Sequence, residues 1–140
     1  MRDEDKIIYA YIRKSTDRKD KQEDSLDNQM DIIAKLAELH GYRKEEIRYF
    51  IESKSGYQDR EERTNFYKML DEADKGRTPK VILTWQAKRL SRNMTDAEKL
   101  EDRIKGDNGQ KISIEKIITL QDGTFDKNTP TLLFTIQFAQ

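Results

Sequence analysis

Serine and arginine are the residues of this sequence best placed to act on an anion. Tyr11, Arg13 and Ser15 alternate at the end of an apolar run, so extended backbone turns their side chains to one side. A serine two residues from an arginine pairs a nucleophile with an anion binder. On that pair alone, a turn-capping serine beside a surface arginine is the simpler reading. A second cluster, Lys88-Arg89-Leu90-Ser91-Arg92-Asn93, follows another apolar run. Arg89 and Arg92 are three residues apart and share a face if that turn is helical. Both clusters follow expected strand ends, which is where open α/β sheets place their active sites. Parallel neighbouring strands would bring the clusters together. Guanidinium groups stay protonated and match phosphate oxygens with planar, forked donors. Several of them around a serine form an electrostatic cradle for phosphoryl transfer without a metal.

Other chemistries lack their usual residues. The chain has no cysteine and one histidine, His40, placed before Gly41 where it suits a helix C-terminus. That leaves no donor set for zinc. No G-x-S-x-G elbow, phosphate loop or G-x-G-x-x-G motif is present. The 27 basic and 27 acidic residues cancel, whereas a stand-alone DNA-binding domain is usually basic. A local arginine cluster for one phosphate is compatible with that balance; tight DNA binding by the whole surface is not. The charged start and short apolar runs resemble neither a signal peptide nor a membrane span, and a cytoplasmic protein is expected.

The elements that would position these residues alternate between short apolar runs and amphipathic stretches. Although 39% of residues are charged and 34% apolar, the apolar ones cluster, which points to one compact domain. Ile7 to Ile12 reads as a central strand, and Lys14 to Asp24 as a loop. Ser25 can cap a helix carrying Leu26, Met30, Ile33, Leu36, Ala37 and Leu39, which Gly41 stops. Arg48 to Ile51 reads as a strand and Ser53 to Glu62 as a loop. Phe66, Met69, Leu70 and Ala73 then form a helical stripe ending at Gly76. Val81 to Trp85 is the clearest strand, and Met94 to Lys105 a helix broken by Gly106-Asp107-Asn108-Gly109. Strand character returns at Ile112–Ile114 and Ile117–Leu120, as one interrupted strand or two. The pattern is that of a three-layer α/β domain with a mainly parallel central sheet of roughly four to five strands. Thr129-Pro130 looks like a helix start, and Leu132, Leu133, Phe134, Ile136 and Phe138 follow without a stop signal. The expectation is a domain over 1–128 and, over 129–140, the start of a longer apolar helix that packs against another subunit.

Five stretches in order carry a family resemblance. Tyr11-x-Arg13-x-Ser15-Thr16, Ser25-Leu26-x-x-Gln29, Ser55-Gly56, Arg63-x-x-Phe66-x-x-Met69-Leu70 and Arg89-Leu90-Ser91-Arg92-Asn93 resemble the resolvase/invertase family of serine site-specific recombinases. The charged loop before Gln29 and the form of the Arg63 helix are more similar to the large serine recombinases than to small resolvases. The resemblance implies a resolvase-like catalytic fold that cuts and rejoins DNA through a covalent 5′-phosphoserine, without a cofactor or metal. It makes Ser15 the nucleophile, with Arg13, Arg63, Arg89 and Arg92 on the scissile phosphate. Tyr11, Gln29 and Glu52 would support them, Glu52 by orienting arginines. It also implies homodimers that assemble into a synaptic homotetramer through the helix beginning near Thr129. Most DNA affinity would then come from a further C-terminal region, with weak binding by this segment.

Lys88 departs from the pattern, since the family commonly has an aspartate before the arginine. Lys88 either faces solvent or adds a phosphate contact. A serine transposase would share the chemistry, whereas a catalytically degenerate assembly domain would not. The presence of Ser15 and all four arginines argues against the latter.

Overall fold

The computed structural model describes residues 7–14, 25–53, 64–91 and 94–129. These form β1 (Ile8–Lys14), α1 (Leu26–Leu39), β2 (Ile47–Ser53), α2 (Thr64–Lys75), β3 (Lys80–Thr84), α3 (Ala87–Leu90), α4 (Met94–Lys105), β4 (Ile114–Thr119) and β5 (Thr124–Asp126). The strands make one sheet in the order β2-β1-β3-β4-β5. The first four are parallel, and β5 pairs antiparallel with β4. This is the expected α/β architecture.

Chain direction explains the layers. From β1 to β2 the chain steps one way along the sheet, and from β2 to β3 it steps back past β1. Right-handed crossovers then require α1 and α2 on opposite faces, with α3 and α4 on the side of α2. The buried side chains sort accordingly. Ile33, Leu36 and Ala37 of α1 pack with Ile8, Ala10, Val81, Leu83 and Ile118. Phe66, Met69, Leu70, Leu90, Ala97, Leu100 and Ile104 pack on the other face with Tyr9, Tyr11, Ile82 and Ile117. The period-two alternation of β1 and β3 sends neighbouring residues to these two cores. Every residue of β3 is buried, as a central parallel strand requires.

Helix ends follow the local sequence. The Ser25 hydroxyl accepts from the Asn28 amide at 3.3 Å, and His40 closes α1 before Gly41, whose φ is +87°. Leu39, expected on the apolar stripe, is 83% exposed because it sits in the last turn, past the sheet contact. Ile112 also departs: it lies outside any strand and is exposed. β4 runs unbroken from Ile114, so the two apolar stretches contribute one parallel strand. Trp85 falls just after β3, and the short edge strand β5 was not anticipated. No helix among the described residues is long and apolar enough to cross a membrane.

Candidate active site at the C-terminal edge of the sheet

The sheet reverses its strand order between β1 and β3, and in such sheets the crevice beyond the C-terminal strand ends at that point is the usual ligand site. Parallel pairing puts the ends of β1, β2 and β3 on one edge. Arg13 stands in register with Glu52, and Tyr11 with both Phe50 and Thr84. Arg13 is half-buried at the end of β1. Ser15, the next residue but one, lies outside the described residues, as do Arg63 and Arg92.

Each described site residue is fixed by its surroundings. Tyr11 is 1% exposed and meets Phe66 edge to face at 5.8 Å. Its carbonyl accepts from the Thr84 hydroxyl at 3.1 Å, which ties β1 to β3 beside the crevice. Glu52 is buried, and its Oε1 accepts the Phe66 amide at 2.8 Å. That amide is one of the orphan donors of the first turn of α2. Asn65 Nδ2 donates to the Ile51 carbonyl at 2.6 Å. The two bonds hold the start of α2, which follows Arg63 directly, against the end of β2.

Arg89 projects from α3, and its Nη1 donates to Gln29 Oε1 at 3.2 Å. Gln29 is 1% exposed on α1, across the sheet from α3, so this bond joins the two helical layers around the strand ends. The Arg89 guanidinium also lies over the Trp85 ring, 5.3 Å from its centroid. Lys88, its neighbour on α3, is exposed. α3 ends at Leu90, and Ser91 is extended at φ −132°, ψ 129°. The helical face expected to join Arg89 and Arg92 is therefore interrupted between them.

Several positioning residues went unnoticed in the sequence. Asp122 Oδ2 accepts the Ala87 amide at 2.7 Å and so caps α3 from the β4–β5 loop. The Leu120 and Gln121 amides bond the Thr84 and Trp85 carbonyls, both at 3.1 Å, and the Gln86 and Gln121 side chains bond each other. This loop holds the segment that carries Arg89. The Asp122-Gly123 pair after an apolar run was its legible signal, as a turn between antiparallel strands. Asp96, 1% exposed in the first turn of α4, accepts from the Tyr67 hydroxyl at 3.0 Å and joins α4 to α2. Among the described residues, no group of three or more histidine, aspartate or glutamate side chains is arranged to hold a metal ion.

Among the described residues, Arg13, Arg89, Gln29 and Glu52 thus stand at the C-terminal strand ends of this α/β sheet. Residues 8–139 match the family described as Resolvase, N terminal domain, and the chain belongs to that family. Comparison with curated proteins gives no match. Membership implies serine recombinase-type cleavage and rejoining of DNA.

Proposed function

We propose that the C-terminal edge of the sheet cleaves and rejoins DNA with Ser15 as nucleophile. Ser15 Oγ bonds to a backbone phosphorus and the P–O3′ bond breaks, leaving the 5′ phosphate on serine and a free 3′ hydroxyl. Religation is the reverse attack by a 3′ hydroxyl on the phosphoserine, so phosphoester energy is conserved and no high-energy cofactor enters. Arg13, Arg63, Arg89 and Arg92 bind the phosphate and stabilise charge that builds up on its oxygens in the transition state. Gln29 orients Arg89, Tyr11 shapes the strand end, and Glu52 fixes the start of α2 beside Arg63. Lys88 faces solvent and is dispensable for the chemical step.

The observation that carries this reading is the Gln29–Arg89 bond at the switch point where β1 ends. It orients the Arg89 guanidinium through a neutral acceptor at the edge that also carries Arg13, two residues before Ser15 in the chain. The segment 129–140 is proposed as the start of a longer helix through which homodimers assemble into a synaptic tetramer. The family match runs on to residue 139 and so includes that segment. The resemblance to large serine recombinases rests on the charged stretch before Gln29 and the form of the Arg63 helix.

The test uses the full-length protein on a nicked suicide DNA site. A covalent protein–DNA adduct is expected from the wild type and none from Ser15→Ala. Assembly on DNA without any wild-type adduct would instead favour a degenerate assembly domain.

A further inference from the structure

Trp85 stands where β3 leaves the sheet at its C-terminal edge. The five residues of β3 before it are all buried, and Trp85 is the first to emerge, half-buried. Its carbonyl accepts the Gln121 amide, and the Thr84 carbonyl accepts the Leu120 amide, both at 3.1 Å. These bonds pin the backbone on which the indole is mounted. Gln86 and Gln121 bond each other through their side chains, and Leu120 is 39% exposed. Asp122, next in the loop, turns a carboxylate oxygen to the Ala87 amide. The β4–β5 loop thus sets neutral and apolar side chains next to Trp85, while the Arg89 guanidinium lies 5.3 Å from the ring centroid.

The ring is close to what a phosphate on Arg89 would bring with it. An N–H···O bond of about 2.8 Å from the guanidinium sets such a phosphate within roughly 10 Å of the indole. Successive bases of a stacked strand are about 3.4 Å apart, so a base flanking that phosphate can reach the ring. When the strand is broken at that phosphate, the flanking base loses the neighbour tied to it across the phosphodiester, and a π-face is left to water. An aromatic side chain replaces such a neighbour and accepts every base, because each has a π-face.

We propose that Trp85 stacks on a base flanking the scissile phosphate and holds the strand end in place while it is broken. The proposal rests on the recombinase reading of this edge. It adds a substrate contact that does not depend on the charge of the phosphate.

The test is a cycle between protein and DNA, read as the rate of adduct formation by the full-length protein on nicked suicide sites. One site is intact, and two others are abasic at the nucleotide on the 5′ or the 3′ side of the scissile phosphate. The wild type should slow about tenfold or more on one of the abasic sites, in line with the value of a base–aromatic stack. Trp85→Leu should be slowed by a similar factor on intact DNA and should lose less than about twofold more when that base is removed. Trp85→Phe, which keeps a smaller ring for both the base and Arg89, should fall between the two. A ring that served only to aim Arg89 would give the abasic sites the same penalty in the wild type and in both variants, and that outcome overturns the proposal. A wild type indifferent to both abasic sites overturns it too, with the recombinase reading intact. No wild-type adduct on the intact site overturns the recombinase reading and this proposal with it.

Discussion

The two ends of the sheet each hold an arginine beside buried polar groups, but the arginines are treated differently. At the N-terminal end, Arg103 of α4 forks onto Asp74 of α2, with Nε at 3.0 and 3.2 Å and Nη2 at 2.8 Å from its oxygens. Ser113 Oγ donates to the same carboxylate at 2.7 Å, and the Lys99 carbonyl takes Arg103 Nη1 at 3.0 Å. The guanidinium is saturated by an opposite charge and fastens α2, α4 and the start of β4 together. At the C-terminal end, Arg89 is aimed by the neutral amide oxygen of Gln29 and the face of Trp85. Both of these contacts are with neutral groups. Arg103 is fastened by a forked ion pair, whereas the Gln29 amide and the Trp85 face orient Arg89 through neutral groups.

The sharpest way to break this contrast is to remove each arginine in turn. Arg89→Ala should slow formation of the serine–DNA adduct by roughly 10²–10³-fold, with less than about 1 kcal/mol change in folding stability. Lysine should rescue poorly at this position, because it lacks the planar fork. Arg103→Ala should do the reverse. It leaves Asp74 partly buried without its forked donor and should cost about 2 kcal/mol by urea denaturation. Adduct formation should continue at temperatures where that variant is folded. If both variants lost cleavage and stability together, the distinction between the two ends would collapse.

The sequence exposes one half of this comparison more readily than the other. Arg13 and Arg89 were legible because each follows an apolar run, and parallel pairing of β1 with β3 carries both to one edge. The layers were legible for the same reason, since strand and helix periods differ. The partners that hold Arg89 were less so. Gln29 is 60 residues away in sequence, and its contact depends on how α1 crosses the strand ends. Asp122 reaches α3 from a loop 35 residues on, beside an edge strand of three residues too short to show a period. Asp74 and Arg103 look like ordinary charges on helix surfaces until α2 and α4 pack side by side. Long-range polar contacts leave little local pattern, so Arg13 and Arg89 were readable from the apolar runs before them, Gln29 and Glu52 only through the family resemblance, and Asp122, Asp74 and Arg103 not at all.

Asp122 gives a smaller effect that sharpens the contrast. Asp122→Ala leaves the Ala87 amide without its cap and should cost about 1 kcal/mol. Because α3 has one turn and carries Arg89, cleavage should fall several-fold beyond what the lost stability explains. Asp122→Asn, which keeps an oxygen acceptor, should restore most of that rate. A purely structural cap would lower stability and leave the rate per folded molecule unchanged.

The smallest expected effect is a dependence on alkaline pH tied to the N-terminal end. Tyr9 is held above its ordinary pKa of 10.0 by burial and then by Glu72, with Arg48 opposing. Tyr42 and Tyr49 are raised as well, by burial first and then by Glu115 and Glu46 for Tyr42 and by Asp31 for Tyr49. In each case the folded chain holds the phenol proton more tightly than the unfolded chain. Their contribution is therefore fully present below about pH 10 and is lost as pH rises through the folded values. Urea midpoints measured from pH 8 upward should hold level and then decline. The decline should be shallower in Tyr9→Phe, and the difference between the two curves isolates Tyr9 from the lysines that titrate in the same range. Identical slopes would mean that the Tyr9 phenolate is as well accommodated in the fold as in water, despite the 4% exposure of that residue.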